Sequence, residues 1–413
     1  MNKSLYIVAF SLAFATTGIA QNNEGQDKVI DLGTQTTTEL RKTQAVSTIY
    51  SDELDKNATT SPYNAIYGLL PGLSVMQNTS WGTDKSRLNV RGRGSLNGDT
   101  PLFVVDGFAR PLEYINLSEI ESISVLKDGA ATALWGGRGA NGVVLITTKR
   151  GIYNQKDIKV DYKFGLGLPV NQPEFADAYT YAKARNEALR YDGLQPDMDE
   201  ASFLSGGNSD LYPNVDWQKE ALRNHTTSHQ LDITFRGGGK RLRYFSVLNY
   251  KNDMGLLNSK YTDYTDRYNS QMKKYFLNLR MNLDVDITDA TKLKLSMLGM
   301  LRETKRPTTS EATLFEQIFN TPSAAFPVQT QNGFWGSNNV LKTNPIANLA
   351  DVGYYKLNQR MLQADLRLVQ DLSVLTRGLS AELAIAYDNN ATYQETAKKS
   401  FMYQTIEKGT DGE

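Results

Sequence analysis

The chain has 413 residues, enough for two or three domains, and its 40% hydrophobic and 22% charged residues are typical of folded proteins. Its 45 basic and 45 acidic residues leave no net charge, which argues against a nucleic-acid-binding protein. The absence of cysteine excludes disulfides and thiolate chemistry, and two histidines leave little for a metal or triad site.

The first twenty residues predict an export signal rather than part of the fold. Lys3 gives a basic start, residues 5–16 form an apolar run, and the small residues Gly18 and Ala20 favour cleavage before Gln21. The run is shorter than the roughly 20 residues of a spanning helix, so an N-terminal anchor is the weaker alternative. We therefore expect Sec export and removal of residues 1–20.

Residues 21–43 are polar and rich in Thr and Gln, with one apolar cluster at Val29, Ile30 and Leu32. This composition predicts an extended tail, which could also be an idle linker. From residue 44 to residue 151 the pattern changes to short helices and strands in alternation, which predicts a small α+β domain.

Within this domain, Ser61 and Pro62 predict a helix start that leads to the turn at Pro71 and Gly72. Asp128 can cap a brief helix over residues 129–135 that ends at the following glycines. Strands are predicted at residues 88–91, Leu102–Val105, 122–126 and Val143–Thr148.

From residue 152 onwards apolar and polar residues alternate, which predicts strands with one apolar and one polar face. The clearest run covers residues 277–287, and others begin near residues 158, 231, 293, 362 and 379. Each is about the 9 to 11 residues that a tilted strand needs to cross a bilayer. A tight turn at residues 288–290 contrasts with a long connection over residues 302–355, which contains a predicted helix at residues 311–319.

These features predict an antiparallel transmembrane β-barrel; the alternative is a soluble β-sandwich, whose strands alternate in the same way. Seven or eight strands are recognisable, whereas plugged barrels have about 22. Since the chain stops at Gly412 and Glu413 without a closing strand, the barrel is expected to be incomplete, in a fragment or a truncated reading frame.

Four segments, residues 89–95, 101–107, 120–128 and 136–149, resemble in order the plug signature of the SusC/RagA family of TonB-linked outer-membrane proteins. Residues 27–35 are similar to the TonB box of that family and the segment after it, and residues 212–217 also resemble the family. The TonB box positions are Val29, Ile30, Asp31 and Leu32. The plug signature positions, structural or gating, are Arg91, Gly92, Arg93, Asp106, Gly107, Lys127, Asp128, Gly137, Arg138, Asn141 and Gly142.

The resemblance implies an α+β plug domain followed by a transmembrane barrel, with active import of glycan fragments or oligopeptides. The implied partners are TonB with ExbB and ExbD, a SusD-like surface lipoprotein, outer-membrane lipid and the substrate, without nucleic acid, cofactor or metal. Two departures from the family are the short interval between export signal and TonB box, which leaves no room for an extra domain there, and the small number of strands. The alternative is a non-transporting binding protein of the outer membrane or a secreted one; an exported hydrolase is a more distant alternative, because no nucleophile and base pair is recognisable.

Other signals have simpler explanations. Gly137, Gly139 and Gly142 fit a dinucleotide fingerprint, but a helix precedes and a strand follows, the reverse of the required order. His225 and His229 lack a third metal ligand, which favours a solvated pair. Arg91 and Arg93 with Lys127 and Asp128 could bind substrate or form salt bridges between plug and barrel wall. The tryptophans, which could stack on sugars or anchor interfaces, are Trp81, Trp135, Trp217 and Trp335.

Overall fold

A computed structural model describes residues 7–13, 29–31, 36–38, 43–56, 59, 61–77, 86–95, 98–170, 172–264 and 267–406. In the N-terminal part, three short 3₁₀ turns cover Leu112–Tyr114, Leu117–Glu119 and Ala133–Gly139. The strands and helices of this part are β1 Ile7–Ala13, β2 Val29–Asp31, β3 Thr36–Thr38, β4 Val46–Tyr50, α1 Ser51–Leu54, α2 Pro62–Ala65, β5 Leu73–Met76, β6 Arg87–Val90, β7 Leu102–Val105, β8 Phe108–Ala109, β9 Ile120–Leu126, α3 Gly129–Thr132 and β10 Val143–Thr148.

The centre of the N-terminal domain, here called the plug, is a five-stranded sheet in the order β4-β9-β10-β7-β8. Only β10 and β7 run parallel; the other pairs are antiparallel. Strands β9 and β10 are apolar along most of their length because both of their faces are covered. Ile123 and Ile146 pack into one hydrophobic cluster, and Leu145 packs into another with Val104.

The short strands predicted for the plug agree with the structure, with β7 and β10 at the predicted bounds. The predicted helix after Ser61 is shorter than expected, since α2 ends at Ala65 and a series of turns follows. Asp128 caps α3 as expected, through a hydrogen bond from the Ala131 amide of 2.8 Å. The α-helix ends at Thr132, a 3₁₀ turn continues from Ala133, and Gly136, with a positive φ of 53°, departs from helical geometry at the predicted glycines.

The tail ahead of the plug is not simply extended. Strands β2 and β3 pair as a hairpin, with Ile30 opposite Thr37. The Ile30 side chain is fully buried in the cluster that contains Val46 and Leu126. Burying an isoleucine contributes about 1.5–3 kcal/mol, which is sufficient reason for a short polar segment to fold back onto the plug. Leu32 lies outside the described residues.

Strand β1 falls within the predicted export signal and lies antiparallel beside β11 Lys156–Gly167, with Ile7 opposite Gly167. The expectation that this segment stays outside the fold therefore differs from the structure. The edge of a sheet offers unpaired backbone groups, so an extended segment can add to it. Cleavage before Gln21 remains a prediction, and residues 14–28 lie outside the described part of the chain.

The C-terminal domain, here called the wall, is an antiparallel sheet in the order β11-β12-β13-β14-β15-β17-β18, to which β1 adds at the β11 edge. After β11, its elements are α4 Ala178–Tyr191, α5 Glu200–Ser205, α6 Trp217–Ala221, β12 Thr226–Gly238, β13 Leu242–Met254, α7 Ser259–Thr262, β14 Lys273–Asp286, β15 Thr291–Pro307, α8 Glu311–Asn320, β16 Trp335–Ser337, α9 Pro345–Ala350, β17 Gly353–Asp371, β18 Ser380–Lys398 and β19 Tyr403–Thr405.

The wall strands are longer than expected. They contain 12 to 19 residues, as in β11 and β17, instead of the predicted 9 to 11. The prediction was wrong because it counted only the residues needed to cross a bilayer, whereas the strands continue towards the long connections. Strand β13 was not recognised at all, because Phe245 and Val247 place apolar side chains on the face that is polar elsewhere.

The polarity of the two faces of the wall is the reverse of that in a soluble protein. On β14, Leu279 and Met281 are 45% and 47% exposed, whereas Asn278, Arg280 and Asn282 are nearly inaccessible. A β-sandwich would bury the apolar face instead. The wall thus turns its apolar face outwards and its polar face towards the plug. No helix in the described part of the chain is long and apolar enough to span a membrane.

Connections at the two ends of the wall strands differ in length. At one end, the turn side, β14 joins β15 through residues 287–290; at the other, the loop side, residues 308–352 connect β15 with β17. The helix predicted in that connection is α8, whose Ser310 accepts a capping hydrogen bond from Thr313. The loop-side connections build a second hydrophobic core, in which Trp217 packs at 5.3 Å from Phe326.

Candidate functional site: the contacts between plug and wall

Arg110 lies directly after β8 and points into the wall, with 4% of its surface exposed. Its guanidinium donates two hydrogen bonds to Asp365 on β17, of 2.6 and 2.5 Å, and others to Asp388 on β18, of 2.6 and 3.1 Å. Burial alone would lower the pKa of Arg110, but the hydrogen bonds and charges of the two carboxylates outweigh it and raise the pKa. The planar guanidinium matches two carboxylates in a way that an ammonium group could not.

Glu119 forms a second buried contact. It ends the 3₁₀ turn that Asn116 caps, and its carboxylate accepts hydrogen bonds from Arg280, at 2.5 Å, and from Asn278, both on β14. Burial raises the pKa of the Glu119 carboxyl, and the Arg280 guanidinium offsets only part of that effect. An ion pair at this depth is a specific contact, since removing one partner leaves the other charge unpaired.

Asp106 and Gly107 form the turn between β7 and β8. Both have positive φ, 46° and 87°, and a Cβ on Gly107 would lie 2.4 Å from Nη2 of Arg367, which donates to the Asp106 carbonyl. The Asp106 carboxylate accepts hydrogen bonds from the amide and hydroxyl of Thr148, at 3.0 and 2.6 Å. Glycine is favoured here because its φ of 87° is one that L side chains rarely adopt, whereas the Arg367 guanidinium, at the end of a flexible side chain, can shift.

The charge of Asp106 belongs to a chain of ion pairs. Arg150 lies 3.8 Å from Asp106 and 3.1 Å from Asp284 on β14, which also pairs with Arg243 at 3.0 Å. Burial opposes ionisation of Asp106, but the charges of Arg150 and Arg280 and the bonds from Thr148 hold the pKa of its carboxyl below its ordinary value. Asn282 completes this contact by donating to the Lys149 carbonyl at 2.7 Å.

The four charged residues proposed from sequence to bind substrate or the wall instead make contacts within the plug. Lys127 donates to Ser47 and to the Pro71 carbonyl, at 2.6 and 3.0 Å. Asp128 accepts from the amides of Ala45 and Ala131, which hold its pKa below the ordinary value. Arg93 pairs with Asp99 at 3.1 Å, and the Arg91 amide donates to the Gly72 carbonyl. The contacts described for these four residues thus lie within the plug, and a role in substrate binding stays a prediction.

The remaining signature residues shape turns. Gly92 and Gly142 have positive φ, and a Cβ on Gly142 would lie 2.8 Å from Val90. Asn141 donates to the Gly98 carbonyl at 3.1 Å. Gly137 has neither a positive φ nor a neighbour within 4 Å of a Cβ position, and Arg138 is exposed.

Sequence reasoning missed Arg110, Glu119 and Arg150, the plug charges that meet the wall. Their signal lay in the wall, where Asn278, Arg280, Asn282 and Asp284 occupy every second position of a strand. Polar residues at that spacing require polar partners, but nothing in the local sequence says which plug residues these are.

The residues considered for other roles are structural. Trp217 and Trp335 are buried in the loop-side core and donate to the Pro322 carbonyl, at 3.1 Å, and to Asp351, at 3.4 Å. Trp135 is half-buried against the plug, and Trp81 lies outside the described residues. His229 bonds to the Tyr162 hydroxyl at 2.7 Å, and His225 is exposed. The described residues contain no cluster of His, Asp and Glu that could hold a metal ion.

The contacts described above come from residues 106–153 of the plug, the last being a 2.6 Å bond from the Tyr153 hydroxyl to Asp286. They hold the second half of the plug to the wall through buried charges. The first half is held by sheet pairing within the plug, since β4 pairs with β9 over residues 46–50. Within the part of the chain that the structure describes, these contacts fix the plug to the wall.

Comparison with known proteins gives the same picture. Residues 38–143 match the TonB-dependent Receptor Plug Domain family. TonB-dependent receptor SusC of Bacteroides thetaiotaomicron is 30% identical over 64% of this chain and 26% of its own length. TonB-dependent receptor P26 of Formosa agariphila is 28% identical over 66% of this chain and 26% of its own length. The chain therefore spans about a quarter of these relatives.

Among solved structures, the RagAB peptide importer in the open-open state matches 89% of this chain and 43% of its own chain, with a TM-score of 0.70 and 20% sequence identity. In the closed-closed state the TM-score is 0.68 at 19% identity. These likenesses concern the fold, a plug with wall strands around it.

Proposed function

We propose that this chain, which belongs to the SusC/RagA family of TonB-linked outer-membrane proteins, forms the plug and part of the barrel wall of an active nutrient importer. Its substrates would be glycan fragments or oligopeptides, delivered with the help of a SusD-like surface lipoprotein. TonB, with ExbB and ExbD, would supply the energy. After Sec export and loss of the signal near Ala20, the protein would lie in the outer membrane, surrounded by its lipid.

The observation that carries this proposal is the polarity of the wall. Its exposed face is apolar and its covered face is polar and charged, as a barrel in lipid requires when its interior is filled by a polar plug. Arg110, Glu119 and Arg150 provide the matching charges on the plug. A wide barrel would leak unless such a plug closed it.

The tail provides a route for mechanical coupling. Val29–Asp31 is already a strand, so TonB could bind it by adding it to the edge of its own sheet, which requires little of the side chains. A pull on this strand would draw Ile30 out of its cluster, separate β2 from β3 and then reach β4. Residues 106–153 would stay on the wall through their buried ion pairs, so a path would open in the first half of the plug.

Deleting residues 26–34 tests the proposal. We expect uptake of the native substrate to be abolished, while the protein still reaches the outer membrane and still migrates differently on gels before and after heating. Replacing the same residues by a Gly/Ser segment of equal length controls for tail length and should also abolish uptake. Uptake that persists in both variants would refute TonB coupling through this segment.

A further inference from the structure

The register of the wall sheet places the outward side chains of neighbouring strands in rows. Leu248, Leu279, Gly299 and Leu362 are consecutive partners in one such row, with Leu277 and Leu301 in the next row towards the loop side. These rows belong to the exposed apolar face of the wall. A membrane-inserted wall would turn this face to lipid.

Further towards the loop side, three lysines stand side by side on the same face. Lys273 on β14 is the direct partner of Lys305 on β15, and Lys305 is the direct partner of Lys356 on β17. We call Lys273, Lys305 and Lys356 the lysine row. Like charges directly opposite one another destabilise a sheet, so the arrangement requires a compensating anion.

The chain supplies only part of that compensation. Lys356 pairs with Glu303 at 3.1 Å. Glu395, the cross-strand partner of Lys356, accepts the hydroxyl hydrogen bond of Tyr354. Within the described residues, Lys273 and Lys305 have no carboxylate at ion-pair distance, and Lys305 lies 5.8 Å above the Tyr354 ring. The row therefore keeps excess positive charge.

An open groove of about 400 Å³ lies on the adjoining apolar rows. It exists because Gly299 has no side chain where its partners Leu279 and Leu362 have large ones. A Cβ at Gly299 would have no neighbour within 4 Å, so the space is open to the outside. We call this the leucine groove; its outward lining is Leu248, Leu277, Leu279, Leu301 and Leu362, with Arg360 and Asn389 as polar residues at its β17 and β18 side.

We propose that the lysine row and the leucine groove together bind one phosphate-bearing lipid of the outer leaflet, with the phosphate on the lysines and an acyl chain in the groove. Lys305 lies four positions after Leu301, about 13 Å along a strand at roughly 3.3 Å per residue. The intervening row contains Tyr275, Glu303 and Asn358; Tyr275 is suited to the interface between acyl chains and head groups, and the Glu303 carboxylate is engaged by Lys356.

The continuity of the two surfaces favours a lipid over a free anion. A dissolved phosphate would use the lysines alone and leave the groove unexplained. An amphiphilic lipid would place its phosphate on the lysine row and an acyl chain in the leucine groove. Basic residues beside an apolar membrane face attract anionic head groups. The proposal rests on the proposed function, because only a wall inserted in the outer membrane turns this face to lipid.

The test compares charge-matched variants of the full protein in lipid nanodiscs. The first changes the row, Lys273→Gln, Lys305→Gln and Lys356→Gln. The control makes the same change of charge at the exposed, unaligned lysines, Lys156→Gln, Lys292→Gln and Lys342→Gln. A third, Gly299→Leu, fills the groove and keeps every charge. The probe is monophosphoryl lipid A, compared with the same lipid after phosphatase treatment, with inorganic phosphate as competitor.

We expect the row variant to bind the phosphorylated probe about tenfold or more weakly, since each lysine near an anionic lipid contributes on the order of fivefold. The Gly299→Leu variant should also bind it more weakly, and the control should equal the wild type. Unchanged binding in either test variant, equal binding of the dephosphorylated probe, or full competition by inorganic phosphate would overturn the lipid site. Failure of the proposed function would instead appear as loss of outer-membrane insertion or as persistent uptake by the variant that lacks residues 26–34.

Discussion

Arg110 is the plug residue with the most charged contacts to the wall, and it shows how a single guanidinium can join domains that are distant in sequence. Asp365 and Asp388 come from two neighbouring strands, and Asp365 is almost inaccessible to solvent. A carboxylate as buried as that of Asp365 needs a partner of opposite charge, whereas Asp388 is 46% exposed. The arginine therefore fixes the position of β8 against β17 and β18.

Changing Arg110→Met should strongly destabilise the attachment of the plug. Removing one partner of a buried ion pair costs about 3–5 kcal/mol, because the other charge stays buried without a partner. The apparent melting temperature of the protein extracted from the membrane should fall, and trypsin should cut the plug sooner. Arg110→Lys keeps the charge but loses the forked geometry, so its melting temperature should lie between those of Arg110→Met and the wild type. The exposed Arg138→Met should have the melting temperature of the wild type. Equal stability of Arg110→Met and Arg138→Met would contradict the importance of this contact.

Asp106 makes the plug contact sensitive to acid. Its pKa is lower in the folded protein than its ordinary value of 3.8, so its carboxylate contributes stability that is fully present above that value. As pH falls through the lowered folded pKa, the carboxylate is protonated and this contribution is lost. Asp106→Asn should be less stable at neutral pH and should lose less stability on acidification than the wild type. Urea unfolding at several pH values measures the free energy of unfolding, with the exposed Asp157→Asn as control. If this free energy changes with pH in the same way in all three proteins, Asp106 is excluded as a source of acid sensitivity.

At the scale of secondary structure, strands whose apolar and polar residues alternate strictly could be predicted from the sequence. Strands that carry apolar residues on both faces could not. Strand β14 was recognised because Asn278 and Arg280 alternate with Leu277 and Leu279. Strand β13 lies beside it in the same sheet, but Phe245 reduces the contrast between its faces. Periodicity reports polarity, and a strand with apolar residues on its inner face loses that signal.

The candidate site was less predictable than the fold because its contacts join residues far apart in the chain. Arg110 and Asp365 are 255 positions apart, and Glu119 and Arg280 are 161 apart. The family resemblance identified Asp106 and Gly107, whose positive φ and closeness to Arg367 explain why those residue types stand there. It also drew attention to Lys127 and Asp128, which stabilise the plug itself. A motif shows that a residue is constrained, but only the fold shows what constrains it.

At the scale of the whole molecule, the contacts between the described residues of plug and wall are unevenly distributed along the plug. The buried charges of residues 106–153 hold one half to the wall, while β4 is held by its five cross-strand pairs with β9. A chain pulled from Ile30 first opens the β2–β3 hairpin and then meets β4, which lies at the edge of the plug sheet, where backbone pairs separate one after another. The mechanism proposed above thus predicts that the first half of the plug must separate from β9 for transport.

Disulfides can test this directly, because the chain contains no cysteine of its own. Thr48 and Ser124 are direct partners on β4 and β9, and their hydroxyl oxygens lie 2.8 Å apart, so Thr48→Cys with Ser124→Cys should cross-link readily. We expect oxidation to abolish uptake and a reductant to restore it. The matched control, Ser122→Cys with Thr147→Cys, joins β9 to β10 within the part held by the wall and should leave uptake unchanged. Normal uptake with the first cross-link closed would mean that transport does not require β4 to leave β9, and equal inhibition by both would mean that the whole plug must rearrange.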